Sequence, residues 1–200
     1  MAKWFGWWPR TAPACCGYRS VDLETLQYPI GRFAWNGDSS AQLREEWLSA
    51  IEATPAVLRR AVGGLAEDQL DTPYRPGGWT VRQVVHHYAD DHMNSYMRFK
   101  LALTEDAPTI KPYSEPLWGE LPDARMGPVE PSLILLAALH QRWMAAWRAL
   151  GPVDWLRTFY HPRSGNTVSL ERLAAQYAWH GRHHVAQVHA LRLRNGWTGN

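Results

Sequence analysis

The sequence has few cysteines, no long apolar run and no strong excess of either charge. Its two cysteines, Cys15 and Cys16, are adjacent, cannot build a disulfide framework and indicate a reducing compartment. No apolar run approaches the roughly 18 residues of a membrane-spanning helix, so we expect no membrane partner. The 21 lysines and arginines are scattered and nearly balanced by 19 aspartates and glutamates. This balance leaves no electrostatic footprint for nucleic-acid binding.

Apolar residues, tryptophan and histidine are what the chain has in abundance. Of its 200 residues, 46% are hydrophobic and 20% are charged, and they include 12 tryptophans and nine histidines. A chain of this length buries roughly 70% of its unfolded surface, which is enough for one core without disulfides. The composition therefore predicts one globular domain.

The amino terminus departs from the rest of the chain. Its tryptophan-rich apolar run is interrupted by Pro9 and Arg10, before it reaches the roughly 7–15 apolar residues of a secretory signal. We therefore expect residues 1–27 to be a poorly ordered extension, residues 28–200 to be the domain, and the protein to be cytoplasmic.

Four long helices are predicted from apolar spacing and from capping residues. A short hairpin follows from Thr158-Phe159-Tyr160-His161 and Thr167-Val168, and five prolines exclude a long regular element between residues 105 and 129. A loop this long usually has a function or covers a site. The expected fold is an all-α four-helix bundle with a small β-hairpin and a long proline-rich loop. The helices are expected from Ser39 or Ser40 to about Leu65 with a kink or break at Pro55, from Thr80 to about Leu103, from Pro131 to Gly151, and from Ser169 to near Gly196.

Two histidines occupy apolar positions of the last helix. His180 and His184 continue the stripe formed by Leu173, Tyr177 and two later apolar residues, so both imidazoles should point into the bundle. A buried imidazole needs a partner, and side chains four residues apart can reach one ion. The spacing favours a shared metal over two separate hydrogen bonds. His183 and His189 lie off the stripe and are expected to be solvated.

The second helix offers several candidates for a third ligand, and its periodicity leaves them open. His86 and His87 lie on opposite sides of the apolar arc, whereas His92 falls within it. Asp91 lies beside His87 and could orient the ring or hold a water, while Asp90 is expected to be solvated. His140 in the third helix and His161 in the hairpin also remain alternatives, although a structural or surface role is favoured for each.

Three neutral imidazoles would leave coordination positions open, as in catalytic rather than structural sites. A metal in such a site lowers the pKa of water toward neutrality or binds a thiol as thiolate. The residues themselves do not choose between these two chemistries.

Longer motifs extend through most of the chain. They include Leu70-Asp71-Thr72-Pro73-Tyr74-Arg75, Gly77-Gly78-Trp79-Thr80, His86-His87, His92-Met93-Asn94-Ser95-Tyr96, Arg98-Phe99-Lys100-Leu101, Phe159-Tyr160-His161-Pro162, Tyr177, Trp179-His180 and His183-His184. These motifs resemble those of the YfiT-type metal-dependent hydrolases in the DinB-like four-helix-bundle superfamily, over about residues 28–195. The first 20 or so residues have no counterpart in the family.

The resemblance implies a ligand set and an assembly. It places metal ligands at His87, His180 and His184, with one divalent ion per chain, Zn²⁺ first and Ni²⁺ as the alternative. It also implies a homodimer, with which Met93 and Met97 on the outer face of the second helix agree.

Three functions follow from this reading. The leading one is a metal-dependent hydrolase acting on a small molecule, with Asp91 as the candidate general base. The alternative is a metal-dependent thiol S-transferase of the bacillithiol type, known from related branches, whose thiol groove would be roofed by residues 105–129. The third is a metal-binding bundle without turnover.

Overall fold

The computed structural model describes residues 22–197. They form the predicted all-α bundle with a two-stranded antiparallel hairpin, and none of the described helices is long and apolar enough to cross a membrane. The elements are α1 (Leu23–Gln27), α2 (Ala41–Val62), α3 (Glu67–Leu70), α4 (Val81–Thr104), α5 (Glu115–Gly119), α6 (Pro122–Met126), α7 (Glu130–Arg148), a 3₁₀ turn (Asp154–Leu156), β1 (Thr158–His161), β2 (Asn166–Ser169) and α8 (Leu170–Arg194).

Side-chain caps begin the long helices where the sequence predicts them. The hydroxyl of Ser40 accepts from the Leu43 amide at 3.3 Å, and the Ser169 hydroxyl caps α8 in the same way. Thr80 and Gln83 form a reciprocal capping box, with distances of 3.1 and 3.0 Å. These bonds satisfy amides that have no partner within a first helical turn. The predicted starts of α2, α4 and α8 are confirmed.

The course of α2 differs from the prediction at its end, because the helix stops at Val62 rather than near Leu65. Pro55 lies inside the helix, which continues beyond it. A proline in a helix removes one backbone hydrogen bond, so the Ile51 carbonyl four residues earlier loses its usual partner. That carbonyl finds a different donor, described below.

The four long helices enclose two apolar clusters with a polar layer between them. α2 packs against α7 and α8, and α4 packs against the same two helices. One cluster is built around Trp143, Trp147 and Phe99, and the other around Tyr88 and Val188. Between the clusters lie polar side chains from all four helices, each at most 9% exposed: Thr54, His92, Ser95, His140, His180 and His184.

The segments outside the bundle cover its flanks. Residues 105–129 contain only the short helices α5 and α6, in agreement with the exclusion of a long element, and both pack against α4. Within the predicted extension, residues 23–27 form α1, which packs against α8. The predictions for residues 1–21, including the two cysteines, lie outside the described residues.

Candidate metal centre

Three imidazoles from α4 and α8 converge in the polar layer. One ring nitrogen each of His87, His180 and His184 lies within 4.8 Å of the others, and each residue is 8–9% exposed. The Nε2 atoms of His87 and His180 are 3.3 Å apart. Within residues 22–197, this is the one set of three histidine, cysteine or acidic side chains that comes close enough to share an ion.

A chain of buried histidines sets the orientation of His180. His140 Nδ1 lies 2.8 Å from the Ile51 carbonyl, which can only accept, so His140 donates there. A neutral His140 then accepts at Nε2 from His92 Nδ1, at 2.8 Å, and His92 accepts at Nε2 from His180 Nδ1, at 3.1 Å. Each neutral ring has one donor and one acceptor, so this order leaves the lone pair of His180 on Nε2, which faces His87.

The origin of this chain is the proline in α2. Residue 55 would normally donate its amide to the Ile51 carbonyl, but Pro55 has no N–H. The carbonyl is therefore free to accept from His140 across the α2–α7 interface. A local defect in one helix thus fixes the direction of three buried imidazoles.

His184 is oriented by a glutamine one turn further along α8. The Gln187 side-chain oxygen lies 2.7 Å from His184 Nδ1 and accepts its proton, which leaves the His184 lone pair on Nε2. The amide nitrogen of Gln187 donates to the Gln27 carbonyl at 2.8 Å and to His183 Nε2 at 3.1 Å. The carbonyl at the end of α1 therefore fixes the Gln187 side chain, and Gln187 in turn fixes the His184 ring.

Burial keeps the three rings neutral. It is the largest cause that lowers the pKa of His87, and it lowers the pKa values of His180 and His184 well below the usual range. Repulsion between neighbouring rings lowers the latter two further. Neutral imidazoles keep the lone pairs that a metal ion requires.

The donor set fits a tetrahedral divalent ion. Two nitrogens bound to one zinc at about 2.0–2.1 Å are separated by about 3.3–3.4 Å, and the His87–His180 pair is at 3.3 Å. An ion would draw the wider pairs closer together. The ring nitrogens of His180 and His184 that face away from the group are hydrogen-bonded, as is usual for histidine ligands.

Asp91 lies beside the three imidazoles. The sequence placed it next to His87, and in the structure it also contacts His180. Its Oδ2 atom is 3.5 Å from His180 Nε2. Tyr113 donates to Oδ1 at 3.0 Å, and Tyr177 donates to Oδ2 at 2.8 Å. Burial, followed by the Asp91 charge, raises the pKa of both phenols, so they remain donors. The carboxylate is thus fixed toward the imidazole group.

The other histidines considered as ligands have different partners. Both ring nitrogens of His86 are engaged, by the Ser132 hydroxyl at 2.8 Å and the Gly127 carbonyl at 3.2 Å. His92 and His140 use both nitrogens in the chain that leads to His180. His161 lies in β1 and contacts the amide of Ser164. The structure does not bring any of these rings into the group of three.

Two expectations about solvation are wrong. His183 is only 5% exposed, because Tyr28 and Trp179 stack on its ring with centroids 5.6 and 4.4 Å away. Asp90 is half-buried because α6 packs on α4, and burial together with neighbouring carboxylates raises its pKa to about 6. His189 is exposed, as expected.

The predicted cover over the site is present in part. The Trp79 ring lies 4.6 Å from the His87 ring, and a Cβ atom at Gly119 would lie only 3.1 Å from that tryptophan. Gln83 of α4 donates to the Gly119 carbonyl at 2.7 Å. The proline-rich segment is therefore fastened to α4 on both sides of His87, by Gln83 and by Tyr113.

Sequence reasoning missed two residues of the site. Tyr113 stands in a segment without periodicity, and no pattern connects it to Asp91. Gln187 lies three residues after His184 on the same helix, so it could have been found from helical spacing. Its partner, the Gln27 carbonyl, depends on how α1 docks and has no signature in the sequence.

Several known proteins are similar to this chain over most of its length. A chain from Bacillus mycoides (strain KBAB4) named "Putative metal-dependent hydrolase" is 52% identical over 175 residues, which cover 88% of this chain and all of the relative. A chain of the same name from Bacillus cereus (strain 03BB102) is 50% identical over the same length.

One solved structure is similar throughout. YfiT from Bacillus subtilis, described as "a probable metal-dependent hydrolase with an unusual four-helix bundle topology", has a TM-score of 0.85 and 47% identity. The match covers 87% of this chain and 99% of that one. The DinB superfamily profile matches residues 50–188, which contain the three converging imidazoles and Asp91. With relatives this similar over their whole length, the chain belongs to the DinB superfamily.

Proposed function

We propose that the protein is a metal-dependent hydrolase of a small molecule. His87, His180 and His184 would hold one divalent ion, with Zn²⁺ as the first choice and Ni²⁺ as the alternative. The observation that carries the proposal is the convergence of three neutral imidazoles within 4.8 Å, two of them with their outward nitrogens hydrogen-bonded.

The number of protein ligands favours catalysis over a structural role. Structural zinc sites are closed by four protein ligands, whereas catalytic sites use three and leave a position open. Such an ion supplies a Lewis acid that lowers the pKa of water toward neutrality. The names of the relatives point to the same class of reaction.

Asp91 is the proposed general base. Its Oδ2 atom is 3.5 Å from His180 Nε2, so the carboxylate is close enough to the three imidazoles to take up a proton there. Tyr113 and Tyr177 hold the carboxylate in place by their hydroxyl groups. Neither phenol moves a proton in this scheme, because burial raises their pKa values.

Metal content and turnover test the proposal together. Elemental analysis of the purified protein should find about one divalent ion per chain, and that ion should be needed for hydrolysis of a compound in a panel of esters, amides and phosphoesters. His184→Ala should lose the ion, whereas His189→Ala, an exposed histidine on the same helix, should keep it. Asp91→Asn should keep the ion and lose most of the hydrolysis.

The same panel separates the rival functions. If turnover appears only when a low-molecular-weight thiol is added, the protein is a thiol S-transferase and the hydrolase proposal is wrong. If the ion is bound but no compound is converted with or without thiol, a metal-binding bundle remains. Absence of any ion, with no uptake on titration, would reject all three functions.

A further inference from the structure

A buried arginine on α4 has no charged partner. Arg98 is 9% exposed, and its Nη2 atom is fully buried without a hydrogen-bond partner among residues 22–197. It also forms none of the ion pairs found in that part of the chain. A guanidinium remains charged at all accessible pH values, so its burial without a partner is costly.

A second buried arginine on the same helix has hydrogen-bond acceptors around its guanidinium group. Arg82 is 3% exposed, and its guanidinium contacts Asp71 at 2.6 Å, Glu67 at 2.5 Å and the Gly127 carbonyl at 2.9 Å. All three groups are acceptors. Arg98 is 9% exposed and has none of them within residues 22–197, so its guanidinium nitrogens other than the fully buried Nη2 can pair with an acceptor from outside the protein.

The space beside Arg98 can take a ligand group. A cavity of about 270 Å³ is lined by Arg98, Lys111, Asn94, Tyr113 and Trp118, together with four apolar residues. No acidic side chain lines it, and two of its lining residues are cations. Most of its remaining lining is apolar, apart from Asn94 and Tyr113, and apolar surroundings strengthen electrostatic attraction.

Tyr113 and α4 connect the cavity with the candidate metal centre. His87, Asp91 and Arg98 are separated by four and seven residues, so they lie on one face of the helix within about 17 Å. Helical side chains lean toward the amino terminus, which turns Arg98 toward Asp91. Tyr113 lines the cavity with one side and donates to Asp91 with its hydroxyl. A small molecule anchored at Arg98 would extend toward the three imidazoles.

The groups that face Arg98 leave its charge available. The Asp91 carboxylate is directed to the phenols of Tyr113 and Tyr177 and to His180. Burial and the charge of Arg98 lower the pKa of His161 of the hairpin, which favours its neutral form. Lys111 adds a second positive charge at the cavity.

We propose that this cavity binds a carboxylate or phosphate group of the substrate, with Arg98 as its main contact and Lys111 as a second one. The proposal rests on the hydrolase function and adds the substrate class: a small anionic molecule, whose charged end is held away from the metal centre. Arginine suits this task because its planar fork pairs with both oxygens of a carboxylate or phosphate.

Anion binding to the full-length protein tests the assignment without any turnover. The probes are inorganic phosphate and succinate, each titrated calorimetrically into metal-loaded protein and into protein stripped with a chelator. In the stripped sample no metal is present, so anion binding measured there cannot be binding to the metal. We expect at least one probe to bind both samples and Arg98→Gln to bind it at least tenfold more weakly. Lys100→Gln, which removes an exposed charge from the same helix, should bind like the wild type.

Thermal unfolding provides the second measurement. The bound anion should raise the melting temperature of the wild type and of Lys100→Gln, but not that of Arg98→Gln. Without anion, Arg98→Gln should be at least as stable as the wild type, because it removes an unpaired buried charge. If both probes bind Arg98→Gln as well as the wild type, or if neither binds the wild type in the millimolar range, the anion site is wrong.

Failure of the anion site and failure of the proposed hydrolase function give different experimental results. Failure of anion binding in a protein that keeps its metal and its hydrolysis would overturn only the substrate class. If the wild type binds the probe through Arg98 but contains no metal or hydrolyses no compound, only the hydrolase proposal is overturned. Phosphate binding without succinate binding, or the reverse, identifies which anionic group the cavity accepts.

Discussion

Replacing His92 by phenylalanine tests whether the histidine chain prepares the proposed metal ligand His180. His92 is completely buried and bonds His140 on one side and His180 on the other. Phenylalanine fills a similar space but can neither donate nor accept. In His92→Phe, nothing would fix the His180 proton on Nδ1, so Nε2 would no longer be reserved for the ion.

The expected loss can be estimated from the bonds that disappear. Removing the hydrogen-bond partner of a metal-bound histidine costs about 10–100-fold in metal affinity, which corresponds to about 1.4–2.8 kcal/mol. The substitution also leaves buried polar atoms of His140 and His180 without partners, at about 1–3 kcal/mol of stability each. Affinity and stability must therefore be measured separately.

Competition with a chelator of known zinc affinity gives the dissociation constant, and urea unfolding of metal-free protein gives the stability. His92→Gln is the informative companion, because its amide can accept from His180 and donate to His140. It should recover much of the affinity. Ser95→Ala, one turn further on the same helix, removes a buried hydroxyl that takes no part in the histidine chain, so it should change the zinc affinity little.

Two results would contradict the prediction for His92→Phe. If His92→Phe binds zinc as tightly as the wild type, the chain does not orient the ligand, and the histidines form only a packed polar layer. Equal weakening in His92→Phe, His92→Gln and Ser95→Ala would show that affinity follows general disturbance of the core.

Three further predictions concern stability and assembly. Burial and neighbouring carboxylates raise the pKa of Asp90 from 3.8 to about 6, so the folded state holds that proton more tightly than the unfolded state does. The free energy of unfolding therefore falls as the pH rises through these two values and stays reduced above them. After allowance for its partial exposure, Asp90→Asn should raise the free energy of unfolding by about 1 kcal/mol near pH 8 and by little near pH 4 in urea titrations; an equal gain at both pH values would contradict this. A methyl group at Gly181 would lie 2.4 Å from Thr54 Oγ1, so Gly181→Ala should lower the free energy of unfolding by about 1–3 kcal/mol. Adding Thr54→Ala should recover part of this loss in thermal unfolding, and no recovery would show that contact with α2 is not its cause. The protein should sediment as a homodimer at micromolar concentrations, because Met97 on the outer face of α4 is 56% exposed; Met97→Glu should shift it toward monomer, and a monomeric wild type would reject the proposal.

The parts of the site that follow from local spacing could be predicted from the sequence. Helical periodicity places His180 and His184 on the buried face of α8, and the capping box at Thr80 sets the start and hence the phase of α4. Both features depend on residues within a few turns of each other. The same periodicity could not decide between His86 and His87, because that choice depends on which neighbouring segment reaches each ring.

The remaining parts depend on contacts between distant segments. His183 is buried by Tyr28, which the sequence places at the edge of an extension. Tyr113 reaches Asp91 from a loop whose course is set by its prolines and by its docking on α4. Arg98 belongs to a recognisable motif, but only the fold shows that its Nη2 atom is buried without a partner among residues 22–197. Helical spacing says which face a residue occupies and not what covers it.

Pro55 places stability and function in opposition. Alanine in the interior of a helix is favoured over proline by about 3 kcal/mol, so selection for a more stable α2 alone would remove it. Alanine would also restore an amide that competes for the Ile51 carbonyl, which now accepts from His140. The protein would gain a firmer helix and lose the fixed end of the chain that leads to His180. A stability optimum and a metal-binding optimum therefore require different residues at this position, a trade-off that consensus or thermostability engineering of this bundle would meet first in α2.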